Sequence, residues 1–239
     1  MKLLAFDTST ETLSIAVSAG AGAPVLEHTG AGGAQASAAL IPAITDLLAR
    51  AGMALRDLDG IAFGRGPGSF TGLRTAAAVA QGLGFGAGVP VLPIDTLLAV
   101  ADEARAQTGA ERVVALLDAR MDEVYFAGYE WLQGRWLTRQ APALGRPEDV
   151  AVPAGWALAG NVLQLHAGRL PAAAQVPALP TARALLRLAP QALADGADHA
   201  ASHALPLYIR DKVAQTTQER AAERARKDLL RGASAVEPR

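Results

Sequence analysis

The sequence of 239 residues contains no cysteine. This absence excludes disulfide bonds and thiolate metal sites, and it favours a reducing compartment. Long apolar runs are missing too: none could span a bilayer, and the four apolar residues after Lys2 are too few for the core of a signal peptide. We therefore expect a cytoplasmic protein that makes no contact with a membrane.

An excess of charge of one sign is also lacking. The chain has 22 lysines and arginines against 23 aspartates and glutamates, which gives a formal net charge of -1. Such a chain has no overall field to attract nucleic acid, so a protein that binds RNA or DNA on its own is disfavoured. Hydrophobic residues make up 51% of the chain, which excludes a mainly disordered protein and allows one large domain or two lobes.

One pattern of strand, aspartate, polar turn and strand occurs twice. The apolar run before Asp7 is followed by a polar turn and by residues 13–17, which alternate as a returning strand. About 110 residues later, Asp118 ends a second apolar run, and residues 124–129 form the second returning strand. We interpret this pattern as an internal repeat of half of the fold.

The residues between the two repeats predict alternating strands and helices. We expect strands at 60–63 and 89–94 and helices at 35–51, 69–85 and 96–107. Ser69 is the expected cap of the second helix, and Pro42 implies a kink or a late start of the first. This alternation predicts a layered α/β fold.

The second half carries fewer signals. Residues 139–153 are rich in proline and polar residues, residues 156–159 predict a strand, and Thr181 is expected to cap a helix that Pro190 interrupts or ends. Residues 210–231 contain seven basic and four acidic side chains. They predict a solvated helix, with a tRNA-contacting arm as the alternative.

The most distinctive segment is the glycine-rich run at residues 64–74. Its alternating glycines permit a close approach of another backbone, and the helix that follows would present free N–H groups beside Arg65, an arrangement that suits a phosphate. The spacing matches neither a P-loop nor a dinucleotide fingerprint. A tight structural turn is the alternative interpretation.

Asp7 and Asp118 end the first strand of each repeat. If the two hairpins face each other, these carboxylates would hold a magnesium ion or polarise a water; otherwise each simply ends its strand by accepting turn N–H groups. The residues considered for contact with a nucleotide or anion are Asp7, Arg65, Gly66, Gly68 and Asp118.

No complete catalytic or metal site is recognisable. His199 and His203 have the spacing of zinc ligands on a helix, but they lie between Gly196 and Pro206 and lack a third ligand. Serine nucleophile motifs are also missing. We therefore expect no catalytic residue, no metal and no cofactor.

The second helix is unusually rich in small residues, including Ala77, Ala80, Gly82, Gly84 and Gly86. Each glycine inside a helix costs roughly 1 kcal/mol relative to alanine. Close packing would offset this cost, either inside the domain or against a partner. The sequence leaves both possibilities open.

Four segments together resemble the TsaB (YeaZ) family in order and spacing: residues 4–10, 64–74, 118–125 and 206–210. The resemblance extends to about Val213 and is weakest from 130 to 200. It implies a bacterial tRNA-modification protein with a two-lobed actin-like (ribonuclease H-like, duplicated) fold. The lobes would span residues 1–102 and 103–213, followed by a charged tail at 214–239.

The resemblance also implies a function and partners. Members of this family pair with TsaD, the subunit that transfers a threonylcarbamoyl group to adenosine 37 of ANN-decoding tRNAs; the P-loop ATPase TsaE joins the pair, and homodimers form without TsaD. This chain would then be a non-catalytic partner that meets tRNA only through the complex. The alternative is an enzyme that binds nucleotide in its interlobe cleft and acts alone.

In the family, two helices of the first lobe form the partner surface. Here the corresponding residues are Leu40, Ile44, Leu47, Phe70, Leu73, Arg74, Ala77 and Ala80. Many relatives carry a histidine before the serine of the first helix, where this chain has Ala36 and Ser37. This departure fits a role without a metal.

Overall fold

The computed structural model describes residues 1–195 and 199–210, and their strands form two five-stranded sheets. The strands of the first sheet are β1 (Lys2–Asp7), β2 (Thr12–Ala19), β3 (Leu26–Ala31), β4 (Gly60–Gly66) and β5 (Val91–Asp95). They are ordered β3-β2-β1-β4-β5. The pairs β1/β2 and β2/β3 are antiparallel, whereas β1/β4 and β4/β5 are parallel.

The second sheet repeats this topology strand by strand. Its members are β6 (Arg112–Asp118), β7 (Val124–Leu132), β8 (Arg135–Gly145), β9 (Ala157–Gly160) and β10 (Ala174–Pro177). They are ordered β8-β7-β6-β9-β10, with β6/β7 and β7/β8 antiparallel and β6/β9 and β9/β10 parallel. The predicted internal repeat and the two-lobed actin-like α/β fold are confirmed.

Four α-helices cover the sheets in the described part of the chain. They are α1 (Ala36–Arg50), α2 (Phe70–Ala87), α3 (Thr96–Thr108) and α4 (Ala182–Ala194). The predicted caps are confirmed: Ser69 Oγ accepts a hydrogen bond from Gly72 N, and Thr181 Oγ1 accepts one from Ala184 N. The predicted interruption at Pro190 is wrong, because α4 continues through it. Pro42 lies inside α1 and does not delay its start.

The central core lies between the two sheets. There α3 and α4 join apolar residues of β1, β4 and β5 to those of β6, β7 and β9 in one continuous cluster. On the opposite face of the first sheet, α1 and α2 cover a second cluster that includes Leu4, Phe6, Ile61 and Phe63. Strands buried on both faces read as continuous apolar runs, which is why the sequence revealed them.

The helices do not follow the predicted lobe boundary closely. Residue 102 lies inside α3, and α4, from the second half of the chain, packs against β1, β2, β4 and β5 of the first sheet. Met1–Ile209 forms one compact unit. The division into 1–102, 103–213 and 214–239 stays a prediction, and the helix predicted beyond Arg210 lies outside the described residues. None of the helices in the described ranges is both long and apolar enough to cross a membrane.

Three strands were not predicted. The outer strands β3 and β8 are largely exposed or half-buried and mix polar with apolar residues, so they lack a clear alternation. Strand β8 extends to Gly145, into the segment that is rich in proline and polar residues. The third, β10, has only four residues, one of which is buried.

Candidate functional site

Asp7 is completely buried at the end of β1. One carboxylate oxygen accepts hydrogen bonds from the backbone N and the Oγ of Ser9, at 2.8 and 2.6 Å, and the other accepts one from Thr96 Oγ1 at 3.5 Å. Burial raises the pKa of Asp7 from 3.8 to about 6, against the lowering effect of these hydrogen bonds. Both oxygens are therefore engaged by the protein's own chain.

The glycine-rich segment is packed against backbone atoms of the β1–β2 turn. A Cβ atom on Gly68 would lie 2.5 Å from the Ser9 carbonyl oxygen, and one on Gly72 would lie 1.8 Å from that of Thr8. Ser69 N donates to Ser9 O at 2.7 Å, and Thr8 Oγ1 donates to Gly72 O at 2.7 Å. These contacts favour the interpretation as a tight structural turn.

The remaining residues of this segment also have partners within the chain. A Cβ on Gly66, which has a φ of 120°, would lie 2.6 Å from the Leu207 carbonyl oxygen, so the end of the described chain closes over the turn. Arg65 Nε lies 2.6 Å from Asp95 Oδ1. The nucleotide or anion contact stays a prediction, and its proposed cation is already paired.

Asp118 ends β6 in the same way that Asp7 ends β1. Its Oδ1 accepts a hydrogen bond from Arg120 N at 2.8 Å, and its Oδ2 lies 3.2 Å from the Arg120 guanidinium. That guanidinium also pairs with Glu11, so it connects the turns of the two repeats. Both aspartates thus accept turn N–H groups. The described residues include no group of three or more histidine, aspartate or glutamate side chains placed to hold a metal ion.

His199 and His203 do not share a helix face. His203 lies in a 3-10 turn at Ala201–His203, and His199 precedes that turn. The backbone carbonyl of His199 accepts a hydrogen bond from Val91 N at 3.0 Å, which fixes this segment to the edge of the first sheet. The spacing that resembled a zinc pair therefore has no helix to support it.

Six of the eight residues assigned to the partner surface are buried in the first lobe itself. Their side chains contribute to the hydrophobic interior; they are Leu40, Ile44, Leu47, Leu73, Ala77 and Ala80, each at most 4% exposed. Their assignment to the surface is corrected here. The apolar stripe of an amphipathic helix faces its own core first. Of the eight, only Phe70 and Arg74 are exposed.

The solvent side of α1 and α2 nonetheless presents many small and apolar residues. Because both helices pack on the same face of the first sheet, their solvent sides form one surface, which we call the outer helical face. Its exposed residues are Ser37, Ala38, Ile41, Pro42, Thr45, Asp46, Ala49 and Arg50 of α1 and Phe70, Thr71, Arg74, Ala78, Gly82, Phe85 and Gly86 of α2. Ile41 is 50% exposed and Phe85 is 87% exposed.

Two of the helical glycines have no role inside the lobe. A Cβ on Gly84 would lie 2.3 Å from Val91 Cγ2, so this glycine is needed for packing against β5. A Cβ on Gly82 or Gly86 would meet nothing within 4 Å. Internal packing therefore accounts for Gly84 and leaves the helix-propensity cost of the other two without a compensating contact in the monomer.

The comparisons with known proteins identify the family. A family described as TsaD, tRNA N6-adenosine threonylcarbamoyltransferase, matches residues 32–224. The tRNA threonylcarbamoyladenosine biosynthesis protein TsaB of Escherichia coli (strain K12) is 36% identical over 233 residues, 90% of this chain and 96% of that protein. The chain belongs to the TsaB (YeaZ) family.

Two further relatives agree with this assignment. The solved structure of YeaZ from Pseudomonas aeruginosa is 43% identical, covers 87% of this chain and 99% of its own, and superposes with a TM-score of 0.80. The TsaB protein of Haemophilus influenzae is 47% identical over 133 residues, 53% of each chain. The resemblance deduced from the four sequence segments is confirmed.

Proposed function

We propose that this TsaB-family chain takes part in tRNA threonylcarbamoyladenosine biosynthesis as a non-catalytic subunit. It would pair with a TsaD-like catalytic subunit through the outer helical face. The observation that carries the proposal is the pair of glycines, Gly82 and Gly86, that face open space on an exposed surface with few charged residues. Small residues at such positions allow a partner helix to approach closely.

The composition of the outer helical face is suited to burial against a protein. It presents the large apolar side chains of Ile41 and Phe85, and the only charged residue in α2 is Arg74. An interface of standard size buries about 1,600 Å² in total, which two adjacent helices and their flanks can supply. The same surface would form the homodimer when the TsaD-like subunit is absent, so the two assemblies would compete.

A non-catalytic role agrees with the state of the polar residues. Asp7, Arg65 and Asp118 bind to other groups of the same chain, and none of them is presented to a substrate. A TsaE-like P-loop ATPase would supply nucleotide chemistry in the complex, and tRNA would be contacted only through it. An enzyme acting alone through the interlobe cleft predicts instead that the isolated protein binds ATP and magnesium, which calorimetry at millimolar nucleotide tests.

The substitution Ala78→Glu tests the interface. Ala78 is exposed, so the variant should fold normally, whereas a carboxylate buried against the partner without compensation costs several kcal/mol. We expect loss of co-purification with the TsaD-like subunit and loss of tRNA modification in the reconstituted reaction. Ala154→Glu, on an exposed loop of the second lobe, is the matched control and should behave as the wild type.

The neighbouring residue shows why the choice of position matters. Ala77 is 4% exposed, so Ala77→Glu would unfold the lobe and say nothing about the interface. Undiminished affinity of folded Ala78→Glu for the TsaD-like subunit would count decisively against the outer helical face as the contact surface.

A further inference from the structure

The end of the described chain returns to the first lobe and runs along α2. Leu207 N donates to Arg65 O at 2.7 Å, and Gln81 Nε2 donates to Ala204 O at 3.1 Å. These bonds hold the segment Leu205–Tyr208 between α2 and the end of β4. Two large side chains of the segment remain at the surface, Leu205 at 61% and Tyr208 at 45% exposed.

Tyr208 completes a cluster with two residues of α2, Phe70 and Arg74. The rings of Phe70 and Tyr208 have centroids 5.3 Å apart at an interplanar angle of 37°. The Arg74 guanidinium carbon lies 3.9 Å from the centroid of the Phe70 ring, and Arg74 Nε donates a hydrogen bond to Tyr208 Oη at 3.2 Å. We call these three residues the Arg74 cluster.

The cluster fixes the guanidinium and leaves its donors available. The Phe70 ring covers one face and the Tyr208 hydroxyl engages Nε, while Nη1 and Nη2 make no hydrogen bond or ion pair with the described residues. Two parallel N–H groups of this kind match the two oxygens of a carboxylate. The Tyr208 hydroxyl, which accepts from Nε, still has its own hydrogen to donate.

We propose that the Arg74 cluster is a receptor for a carboxylate of the partner protein, and that the C-terminal segment Leu205–Tyr208 belongs to the docking surface together with α1 and α2. This inference rests on the proposed function and adds to it the chemistry of one contact. An aspartate or glutamate of the TsaD-like subunit binds the Arg74 fork. Tyr208 acts as a positioning residue that holds the fork in its bound orientation.

Pre-organisation is the physical basis of this contact. A free arginine side chain loses much rotamer freedom on binding, and a side chain already fixed by a ring and a hydroxyl loses less. Tyrosine and arginine are also the residue types that dominate interface energetics when apolar neighbours exclude water. Here Phe70 provides such a neighbour.

A carboxylate is favoured over an RNA phosphate by the surroundings. Arg74 is the only charged residue of α2, and α1 contributes one acidic and one basic residue, Asp46 and Arg50, which pair with each other. A surface that follows a phosphate backbone needs several cations, because each contact adds to affinity through the release of counterions. On these two helices, a single fixed arginine fits a single acidic side chain.

The test measures the affinity of the full chain for the TsaD-like subunit by calorimetry at two salt concentrations. Arg74→Lys keeps the charge but removes the fork, and we expect the Kd to rise roughly tenfold. Tyr208→Phe keeps the ring and removes the hydroxyl, and we expect a rise of roughly threefold to tenfold. Arg112→Lys, on the second sheet, is the matched control and should leave the Kd unchanged.

A structural role alone would not produce the expected salt dependence. With the carboxylate contact, the wild-type affinity falls more steeply with salt than that of Arg74→Gln, which lacks the charge. In addition, one Asp→Asn or Glu→Gln variant of the TsaD-like subunit should weaken the wild type and have no further effect on Arg74→Gln.

The outcomes separate this inference from the proposed function. If Ala78→Glu abolishes binding while Arg74→Lys and Tyr208→Phe bind as the wild type does, the carboxylate receptor is wrong and the outer helical face stands. If Ala78→Glu binds normally, the surface itself is wrong. If the Arg74 variants keep their affinity for the subunit but lose affinity of the complex for tRNA, the bound anion is a phosphate and the inference is overturned.

Discussion

The two lobes share a sheet but differ in what covers its outer face. In the first lobe, α1 follows β3 and α2 follows β4, and together they bury a large apolar cluster. In the second lobe, the corresponding connections are residues 146–156 and 161–173, which contain a 3-10 turn and loops. The cluster beneath them is smaller and is closed by side chains such as Val150, Val162 and Leu163.

This difference concerns the same two helices to which the proposed function assigns the partner surface. The helix that follows the last strand is present in both lobes, as α3 and α4, and these two helices form the central core. The helices that occur only in the first lobe are those with a smooth outer side and two open glycines. The shared helices therefore build the core between the sheets, and the unshared helices, α1 and α2, carry the proposed contact surface.

Truncation of a core phenylalanine in each lobe is the first test of this comparison. Phe63 is fully buried with α1 and α2, whereas Phe126, in the smaller cluster of the second lobe, is 7% exposed. We expect Phe63→Ala to lower the free energy of unfolding by about 3–5 kcal/mol and Phe126→Ala by less. Urea denaturation measures both. An equal or larger loss for Phe126→Ala would remove the energetic distinction between the two outer clusters.

The two equivalent aspartates provide a second test, through pH. The folded protein raises the pKa of Asp7 from 3.8 to about 6, and one pKa unit corresponds to about 1.4 kcal/mol, so ionised Asp7 costs about 3 kcal/mol. The protonated form is favoured by folding. The contribution of Asp7 to stability is therefore fully present below about pH 4 and is lost as the pH rises through about 6.

Asp7→Asn should remove this loss. At pH 7 the variant should be more stable than the wild type, by up to about 3 kcal/mol, because its amide is neutral at every pH. Asp118→Asn is the matched control. Because Asp7 remains in that variant, its stability should depend on pH as that of the wild type does. Thermal unfolding between pH 4 and pH 8 measures the effect, and an Asp7→Asn curve parallel to the wild-type curve would contradict it.

Substitutions of the glycines of α2 have the smallest expected effect on stability, but they should change stability and partner binding in opposite directions. Gly82→Ala places a methyl group in open space and should stabilise the monomer by about 1 kcal/mol, because alanine is the better helix former. The same methyl group should weaken binding of the TsaD-like subunit. Gly84→Ala is the internal control, since its Cβ would collide with Val91 and should destabilise the fold. A stabilised Gly82→Ala variant with undiminished affinity would argue that the face is not an interface.

The sequence predicted the buried parts of the fold and failed at the exposed ones. Strands β1, β4 and β6 are covered on both faces, so their continuous apolar runs were unmistakable, whereas the edge strands β3 and β8 lie half in solvent and left no pattern. The repeat was recognisable because Asp7 and Asp118 occupy the same position in each half. Asp7 is fully buried, whereas Asp118 is not. The burial of Asp7 depends on packing against Thr96 and Gly64, which lie far from it in sequence.

The partner surface illustrates a different limit of sequence reasoning. The sequence pattern of α1 and α2 is set by apolar residues at helical spacing, such as Leu40 and Ile44. These residues fill the core of the first lobe itself. The exposed residues of the face include Ala78, Gly82 and Gly86, whose small size is their signal. Only the positions of the neighbouring atoms reveal which glycines serve internal packing and which do not.

The most direct measurement of the central claim is hydrogen exchange of the full chain with and without the TsaD-like subunit. Exposed helical amides that become buried in a complex exchange more slowly. We predict slower exchange in α1, in α2 and in residues 205–208, with little change in the loops 146–156 and 161–173 of the second lobe. Protection confined to the second lobe, with α1 and α2 unchanged, would contradict the assignment of the contact surface to the unshared helices.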